Sequence, residues 1–210
     1  MLNRRYNEPV LSLPMLPQAS LDVKPINWNG LSTRFLNPGE LEVLVALMRL
    51  VPDPLAKTVV EIGCHEGRTA KAVLRELPYV QHYMGVDVEP GYIPKCAIQR
   101  GEIPRHPGLL VRAEPRFSLM LARRGSFDFG PANFGPVNIF FIDGDHGREA
   151  VKHDTELAFA TVQPGGIIIW HDYKNDGLTE VHEVIEPIQA KGVDIKYVED
   201  TWLAYTRVRM

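Results

Sequence analysis

The sequence predicts a doubly wound α/β domain whose mostly parallel sheet ends in an antiparallel C-terminal hairpin. Three observations carry this. Short β-rich runs alternate with helix-period runs five times, the pattern of strands joined by covering helices. "VNIFFID" (137–143) and "GGIIIWHD" (165–172) are continuous apolar runs, as central parallel strands buried on both faces require. "VDIKYVED" and "TWLAYTRVRM" then follow with almost nothing between them, and so short a connection permits only an antiparallel pair.

The elements can be justified in order. Residues 1–36 hold Pro9, Pro14, Pro17 and Pro25 and no sustained periodicity, so they read as an extended arm before a domain spanning 37–210. The arm has three roles open to it: covering the domain, reaching a partner subunit in a homo-oligomer, or lying over the active site. Order begins at "NPGELEVLVALMRLV", where Asn37 suits an N-cap, Pro38 the first helical position and Glu40 the capping-box position. Leu41, Leu44, Val45 and Met48 give that helix one buried face. "TVVEIG" is a strand, "RTAKAVLREL" a helix and "HYMGVDV" a second strand. The third strand is expected at "GLLVRAE" (108–114). A helix from about Arg148 to Val162 separates the two apolar strands and is closed by "QPGG". "LTEVHEVIEPIQAKG" is the last helix before the hairpin.

Bulk properties narrow the class. A chain of 210 residues suffices for one well-cored domain. With 45% hydrophobic and 23% charged residues it has an ordinary soluble composition. A net charge of −3 gives no reason to expect nucleic acid or a membrane as partner. Locally, Lys95, Arg100, Arg105, Arg112, Arg116, Arg123 and Arg124 form a basic stretch, to be read as a solvated face or as a wall for an anionic ligand. Cys64 and Cys96 form no disulfide framework and no zinc spacing, which fits reduced thiols. Prolines interrupt "VLSLPMLP" after Arg4 and Arg5, so no signal-peptide core is expected, and no apolar run reaches the ~20 residues of a membrane helix. A cytoplasmic protein is the expectation.

"VVEIGCHEGRTA" is a strand, a glycine turn and a helix start. Gly63 and Gly67 allow a sharp turn and close approach of a ligand to the helix N–H groups. Asp87 ends the next strand, about where ligand-binding α/β folds place an acid on ribose hydroxyls. The combination points to a nucleoside-containing cofactor. It is not the dinucleotide fingerprint, because the three-glycine spacing is absent.

At this point the sequence resembles the class I S-adenosylmethionine-dependent methyltransferases, which have a Rossmann-like sheet with a reversed last strand. The likeness rests on "EIGCHEGRTA", "GVDV" and "FFIDGDHGREAVKHD…VQPGGIIIWHDY", and is strongest with the small branch carrying a methyltransferase-24-type domain. It covers about residues 38–208. The resemblance implies that Glu61, Gly63 and Gly67 line the methionine part of S-adenosylmethionine, with Cys64, His65, Arg68 and Thr69 completing the turn, Cys64 and His65 as backbone spacers. It places Asp87 on the ribose diol, Val88 beside the adenine, Ala113 and Glu114 at the adenine after the third strand, and Asp143 near the sulfonium.

Methyl transfer to oxygen must also remove a proton, for which a base or a divalent metal is useful. Asp143 and Asp172 end neighbouring strands and suit a hard cation such as Mg2+ or Mn2+. Metal-dependent O-methyltransferases that this arrangement resembles use an acid after one strand and an acidic or amide pair after the next. Here His171 precedes Asp172, which departs from all-oxygen ligation and brings manganese, iron or zinc into range. Asp143, His171 and Asp172 are the candidate metal ligands. Asp145, His146 and His171 are the candidate catalytic residues, though Asp145 equally suits a helix cap, His146 a structural role and His171 a base. His153 and Asp154 are expected inside the helix, away from the strand ends. Tyr173 and Lys174 are candidates for the acceptor pocket. The resulting expectation is O-methylation of a small-molecule hydroxyl. A metal-dependent hydrolase and a non-catalytic cofactor-binding domain are the alternatives.

Overall fold

The computed structural model describes residues 12–93, 103–175 and 178–209. Eight strands form one sheet: β1 (Met15–Leu16), β2 (Thr58–Ile62), β3 (His82–Val88), β4 (Phe117–Ala122), β5 (Val137–Ile142), β6 (Val162–Trp170), β7 (Ile195–Val198) and β8 (Ala204–Arg207). Their order across the sheet is β1-β7-β8-β6-β5-β2-β3-β4. The β2, β3, β4, β5 and β6 pairings are parallel, whereas β8 runs antiparallel to both β6 and β7. This is the predicted mostly parallel sheet with its terminal hairpin. Strand β2 lies between β3 and β5, so the chain reverses its winding there and opens a crevice at the carboxyl ends.

Among the described residues four α-helices cover the sheet: α1 (Glu40–Met48), α2 (Arg68–Glu76), α3 (Arg148–Thr161) and α4 (Val181–Ala190). One apolar cluster joins α1 and α2 to the Val59, Ile139, Phe141 and Ile167 face of the sheet. A second joins α3 and α4 to the Val60, Phe140, Ile142 and Ile168 face. Alternate residues of β2 and β5 thus serve opposite cores, which is why their sequences are apolar throughout.

The third strand is not "GLLVRAE". Residues 108–114 form successive turns, with Gly108 at φ 67° and hydrogen bonds from Val111 N–H to Gly108 O (3.1 Å) and Glu114 N–H to Val111 O (2.9 Å). Pro115 follows and has no N–H to give a ladder. The strand is "FSLMLA", which pairs in parallel with β3 from Tyr83↔Phe117 to Val88↔Ala122. As an edge strand it is only half buried, so its sequence lacks the apolar density of β5 and β6.

Helix α1 begins at Glu40, behind Gly39 at φ 77°, and all of its residues except Glu42 are buried rather than one face alone. The described part of the arm supplies the extra cover. Leu16, Leu21, Val23, Leu31 and Phe35 pack against the α1 cluster, and Trp28 Nε1–H donates to Glu42 Oε1 (2.9 Å). Strand β1 extends the sheet beside β7. Residues 27–32 are strapped along α2: Asn27 N–H donates to Glu76, Arg75 to Asn29 O, Lys71 to Gly30 O and Arg68 to Ser32.

Candidate active site

A cavity of about 590 Å³ occupies the crevice at the strand ends, lined by the turns after β2, β3, β4, β5 and β6 and by Thr33–Leu36 of the arm. The β2–α2 turn forms its floor. Gly63 (φ 83°) and Gly67 (φ 84°) take left-handed backbone, and a Cβ on Gly63 would lie 2.1 Å from Asp143 O. Only glycine lets the tips of β2 and β5 approach so closely. His65 between them also has positive φ (48°), a conformation rare outside glycine and concentrated at functional sites.

Glu61 is buried and accepts a hydrogen bond from Tyr83 OH (2.9 Å). Desolvation pushes its pKa up to about 8. Asp87 ties the β2–α2 turn to β3, accepting N–H bonds from His65 (2.6 Å) and Val88 (2.8 Å). Burial raises its pKa as well. Cys64, His65, Arg68, Thr69 and Val88 also line the cavity. Of these, Arg68 pairs with Glu66 (2.7 Å), and His65 Nε2 lies 2.9 Å from Arg34.

Ala113 and Glu114 do not line the cavity. They precede β4 instead of following it, and Glu114 binds Arg116 (2.9 Å). The turn that does follow β4 brings Arg124, Gly125, Ser126 and Phe127 to the cavity. Two members of the basic stretch are therefore ion-paired, Arg116 with Glu114 and Arg124 with Asp128. Lys95, Arg100 and Cys96 lie outside the described residues.

The opposite wall is a four-residue cluster. Asp143 directly follows β5, His146 lies in the turn to α3, and His171 and Asp172 follow β6. His171 Nδ1 lies 3.1 Å from Asp143 Oδ1 and 3.0 Å from Asp172 Oδ2. His146 Nε2 lies 3.0 Å from Asp172 Oδ2 and 3.5 Å from Asp143 Oδ1. One ligand atom from each of the four residues falls within 4.8 Å of the others, a spacing that suits a single divalent ion. Asp172 has φ 58°, and Asn175 Nδ2 donates to its Oδ1 (2.8 Å), which fixes the carboxylate.

The cluster is electrostatically self-consistent. Burial opposes charge on His171, yet the Asp143 carboxylate, with help from Asp172 and Glu40, holds its pKa well above the usual imidazole range. Burial likewise opposes charge on His146, and contact with Asp143 and Asp172 outweighs it. Burial would raise Asp143 and Asp172, but the neighbouring imidazoles hold both below the ordinary carboxylate range.

Asp145 stands apart from the cluster. Its Oδ1 accepts the Gly147 N–H (2.9 Å) and its Oδ2 the Tyr92 hydroxyl (3.1 Å), so it shapes the turn into α3 at the cavity wall. His153 is structural: it stacks on Phe127 (4.4 Å) and its Nε2 lies 3.2 Å from Ser126 O. Asp154, expected to point away, is buried and lines the cavity. It lies four residues after Ala150 and three after Val151, both buried, so helical spacing carries it to the inner face. Desolvation lifts its pKa to about 7, and its Oδ1 has no hydrogen-bond partner among the described residues. Tyr173 and Lys174 do not reach the cavity: the Tyr173 hydroxyl bridges Leu13 N–H and Glu186, and Lys174 sits over the Tyr173 and Tyr197 rings.

Glu40 was hidden by its local context. It does not cap α1; it is fully buried and faces His171 Nε2 at 3.3 Å, while its Oε1 accepts from Trp202 N–H (2.5 Å) and Asn37 Nδ2 (3.1 Å). The available signal was its spacing, since Val43 and Leu44, three and four residues on, are both core.

Comparison with known proteins agrees with this geometry. The model of a methyltransferase-domain family matches residues 60–173. The O-methyltransferase NovP superposes with a TM-score of 0.62 at 13% identity, over 81% of this chain and 80% of that one. A protein described as a putative O-methyltransferase from Klebsiella pneumoniae gives 0.57 at 20% identity, over 86% and 84%. An O-methyltransferase from Bacillus cereus in complex with SAH gives 0.54 at 16% identity, over 85% of each chain. A search of curated proteins finds no match. Among the described residues no helix is long and apolar enough to cross a membrane. With its matched glycine turn, Asp87 and both cluster-bearing strand ends, the chain belongs to the methyltransferase-24-type family of class I, S-adenosylmethionine-dependent methyltransferase domains.

Proposed function

We propose that the protein transfers the methyl group of S-adenosylmethionine to the oxygen of a small-molecule hydroxyl, with a divalent cation held by Asp143, His171 and Asp172. The observation that carries this is the junction of a cofactor-type crevice with the Asp/His cluster in one cavity, across the close contact of Gly63 with Asp143. The likeness to NovP and to the Bacillus cereus protein, both O-methyltransferases and the second with SAH bound, supports the reaction and the cofactor.

In this reading the β2–α2 turn and Glu61 hold the methionine end, and Asp87 accepts from the ribose while keeping its backbone bonds. The acceptor lies between the methyl group and the Asp143–His146 edge, in line for displacement at carbon, so the protein contributes mainly proximity and orientation. A bound divalent ion would lower the pKa of an acceptor hydroxyl. His146 would take the hydroxyl proton at Nε2 once a bound cation has displaced the proton it holds against Asp143 and Asp172, the oxygen forms its bond to the methyl carbon, and the carbon–sulfur bond pair returns to sulfur. Phe35 and Trp202 close the cavity beside the cluster, against water.

The test begins with the cofactor. At 100 times its dissociation constant a ligand stabilises the fold by ~2.7 kcal/mol. At ~2–4 °C per kcal/mol for this chain length, the melting temperature should rise by about 5–11 °C. Labelled methyl transfer to a panel of phenols, catechols and sugar hydroxyls, with and without chelator, then identifies the acceptor. No shift with S-adenosylmethionine or S-adenosylhomocysteine at millimolar concentration would sink the reading.

A further inference from the structure

Glu40 poses a problem that the reaction leaves unanswered. It is a fully buried acid in a helix whose other inner residues are apolar. A buried carboxylate persists only when every lone pair has a use. Here Oε1 takes the Trp202 N–H and the Asn37 amide, and Oε2 is left for His171 Nε2. The opposite nitrogen, Nδ1, faces Asp143 and Asp172 at 3.1 and 3.0 Å. Phe35 stacks on the imidazole with ring centres 4.7 Å apart and planes 25° apart, which stops the ring from turning over. An acceptor at one ring nitrogen decides the tautomer of a neutral histidine and so decides which nitrogen can hold a metal.

We propose that Glu40 is a positioning residue for the metal centre: it accepts from His171 Nε2–H and so directs Nδ1, once a cation replaces the proton there, between Asp143 and Asp172, so that the site selects a transition ion over magnesium. The inference rests on the metal-assisted reading above and adds to it a residue from α1 and a class of ion. An imidazole nitrogen fits manganese, iron, cobalt or zinc, whereas magnesium demands near-octahedral oxygen ligation. Glu40 does not line the cavity; it acts through the ring.

The test is titration of the full-length protein with Co2+ and separately with Mg2+, reading affinity by chelator competition and the ligand field by the visible absorption of cobalt. The unaltered protein should bind Co2+ more tightly than Mg2+. Glu40→Leu should weaken Co2+ by about 10–100-fold, the usual effect of losing an outer partner, and should shift the cobalt spectrum. Glu40→Gln keeps one acceptor oxygen but must turn its NH2 toward either Trp202 and Asn37 or His171, and should give a Co2+ affinity between those of the parent and Glu40→Leu. S-adenosylhomocysteine binding serves as the fold control. A folded Glu40→Leu protein with Co2+ affinity within about twofold of the parent and an identical spectrum overturns the proposal.

Should Glu40→Leu fail to fold, His171→Asp decides. That change sets two buried carboxylates face to face and should destabilise the protein. The double variant Glu40→Gln/His171→Asp should regain stability and turn its preference toward Mg2+. Equal instability of the single and double variants overturns the proposal. If the unaltered protein binds neither ion, the proposal falls together with the metal-assisted reading. Methyl transfer itself is still judged by the cofactor melting shift.

Discussion

Asp143 and His171, at the tips of the adjacent strands β5 and β6, face each other with Oδ1 and Nδ1 3.1 Å apart. The contact couples the metal-free protein to pH. The His171 and His146 pKa values are raised, so their contribution is complete below the unfolded value of ~6.5 and is lost as pH rises through the raised values. The Asp143 and Asp172 pKa values are lowered, so theirs is complete above ~4 and is lost only as pH falls through the lowered values. The metal-free protein should therefore melt at a lower temperature near pH 9 than near pH 6. A divalent ion must displace the imidazolium protons, so calorimetry in buffers of different ionisation enthalpy should show proton release. Metal binding with no proton release would contradict this assignment.

Asp154 acts in the same pH direction by another route. Its folded pKa of about 7 lies above the unfolded carboxylate value, so ionising it costs stability as pH rises from ~4 to ~7. Asp154→Asn should raise stability near pH 8 by ~4 kcal/mol, given ~1.4 kcal/mol per pKa unit, and by less than half of that near pH 5. Urea unfolding at the two pH values checks it. An equal change at both would show that Asp154 does not titrate in this range.

Gly63 is where the β2–α2 turn meets the carboxyl end of β5. Gly63→Ala would set a methyl group 2.1 Å from Asp143 O on backbone at φ 83°. Strain and displacement of β5 together should cost more than ~3 kcal/mol. S-adenosylhomocysteine binding should be lost with it, as followed by melting shift. Gly91 also has positive φ (98°) but its added Cβ would meet nothing within 4 Å among the described residues, so Gly91→Ala should show only the milder backbone cost.

Phe35 ties the arm to the site. Phe35→Ala removes the stack on His171 and should cost ~0.5–1.5 kcal/mol beyond the lost apolar burial. It should also reduce turnover more than cofactor affinity, because the ring covers the cluster. Turnover and S-adenosylhomocysteine affinity falling in equal proportion would instead place Phe35 on the cofactor.

Much of this was legible because the responsible signals are local. The strands "VVEIG", "VNIFFI" and "GGIIIW" announce two-sided burial, and the glycine turn announces itself through Gly63 and Gly67. The ends of β5 and β6 then place Asp143 beside Asp172 through the parallel pairing of the two strands. The strand β4 is an edge element with a mixed face, and of the apolar side chains in "GLLVRAE" only Val111 is buried, where it packs against Gly67, while Leu109 and Leu110 are exposed. Ala113 and Glu114 went with the strand expected there, since a strand end moved by several residues changes which turn meets the cavity.

The sequence by itself determined the alternation of strands and helices, the reversed hairpin, the cofactor turn and the acids at the strand tips, because side-chain periodicity and turn chemistry act over a few residues. Tertiary structure alone decided which buried polar atoms answer one another. Glu40 reads as a helix cap within "NPGELEV" and becomes the partner of His171 and Trp202 only after α1 packs beneath the C-terminal strands. Asp154 becomes a cavity wall only when α3 is seated on the sheet. A buried charge is held by whatever the fold brings to it, and those partners lie more than a hundred residues away in the chain.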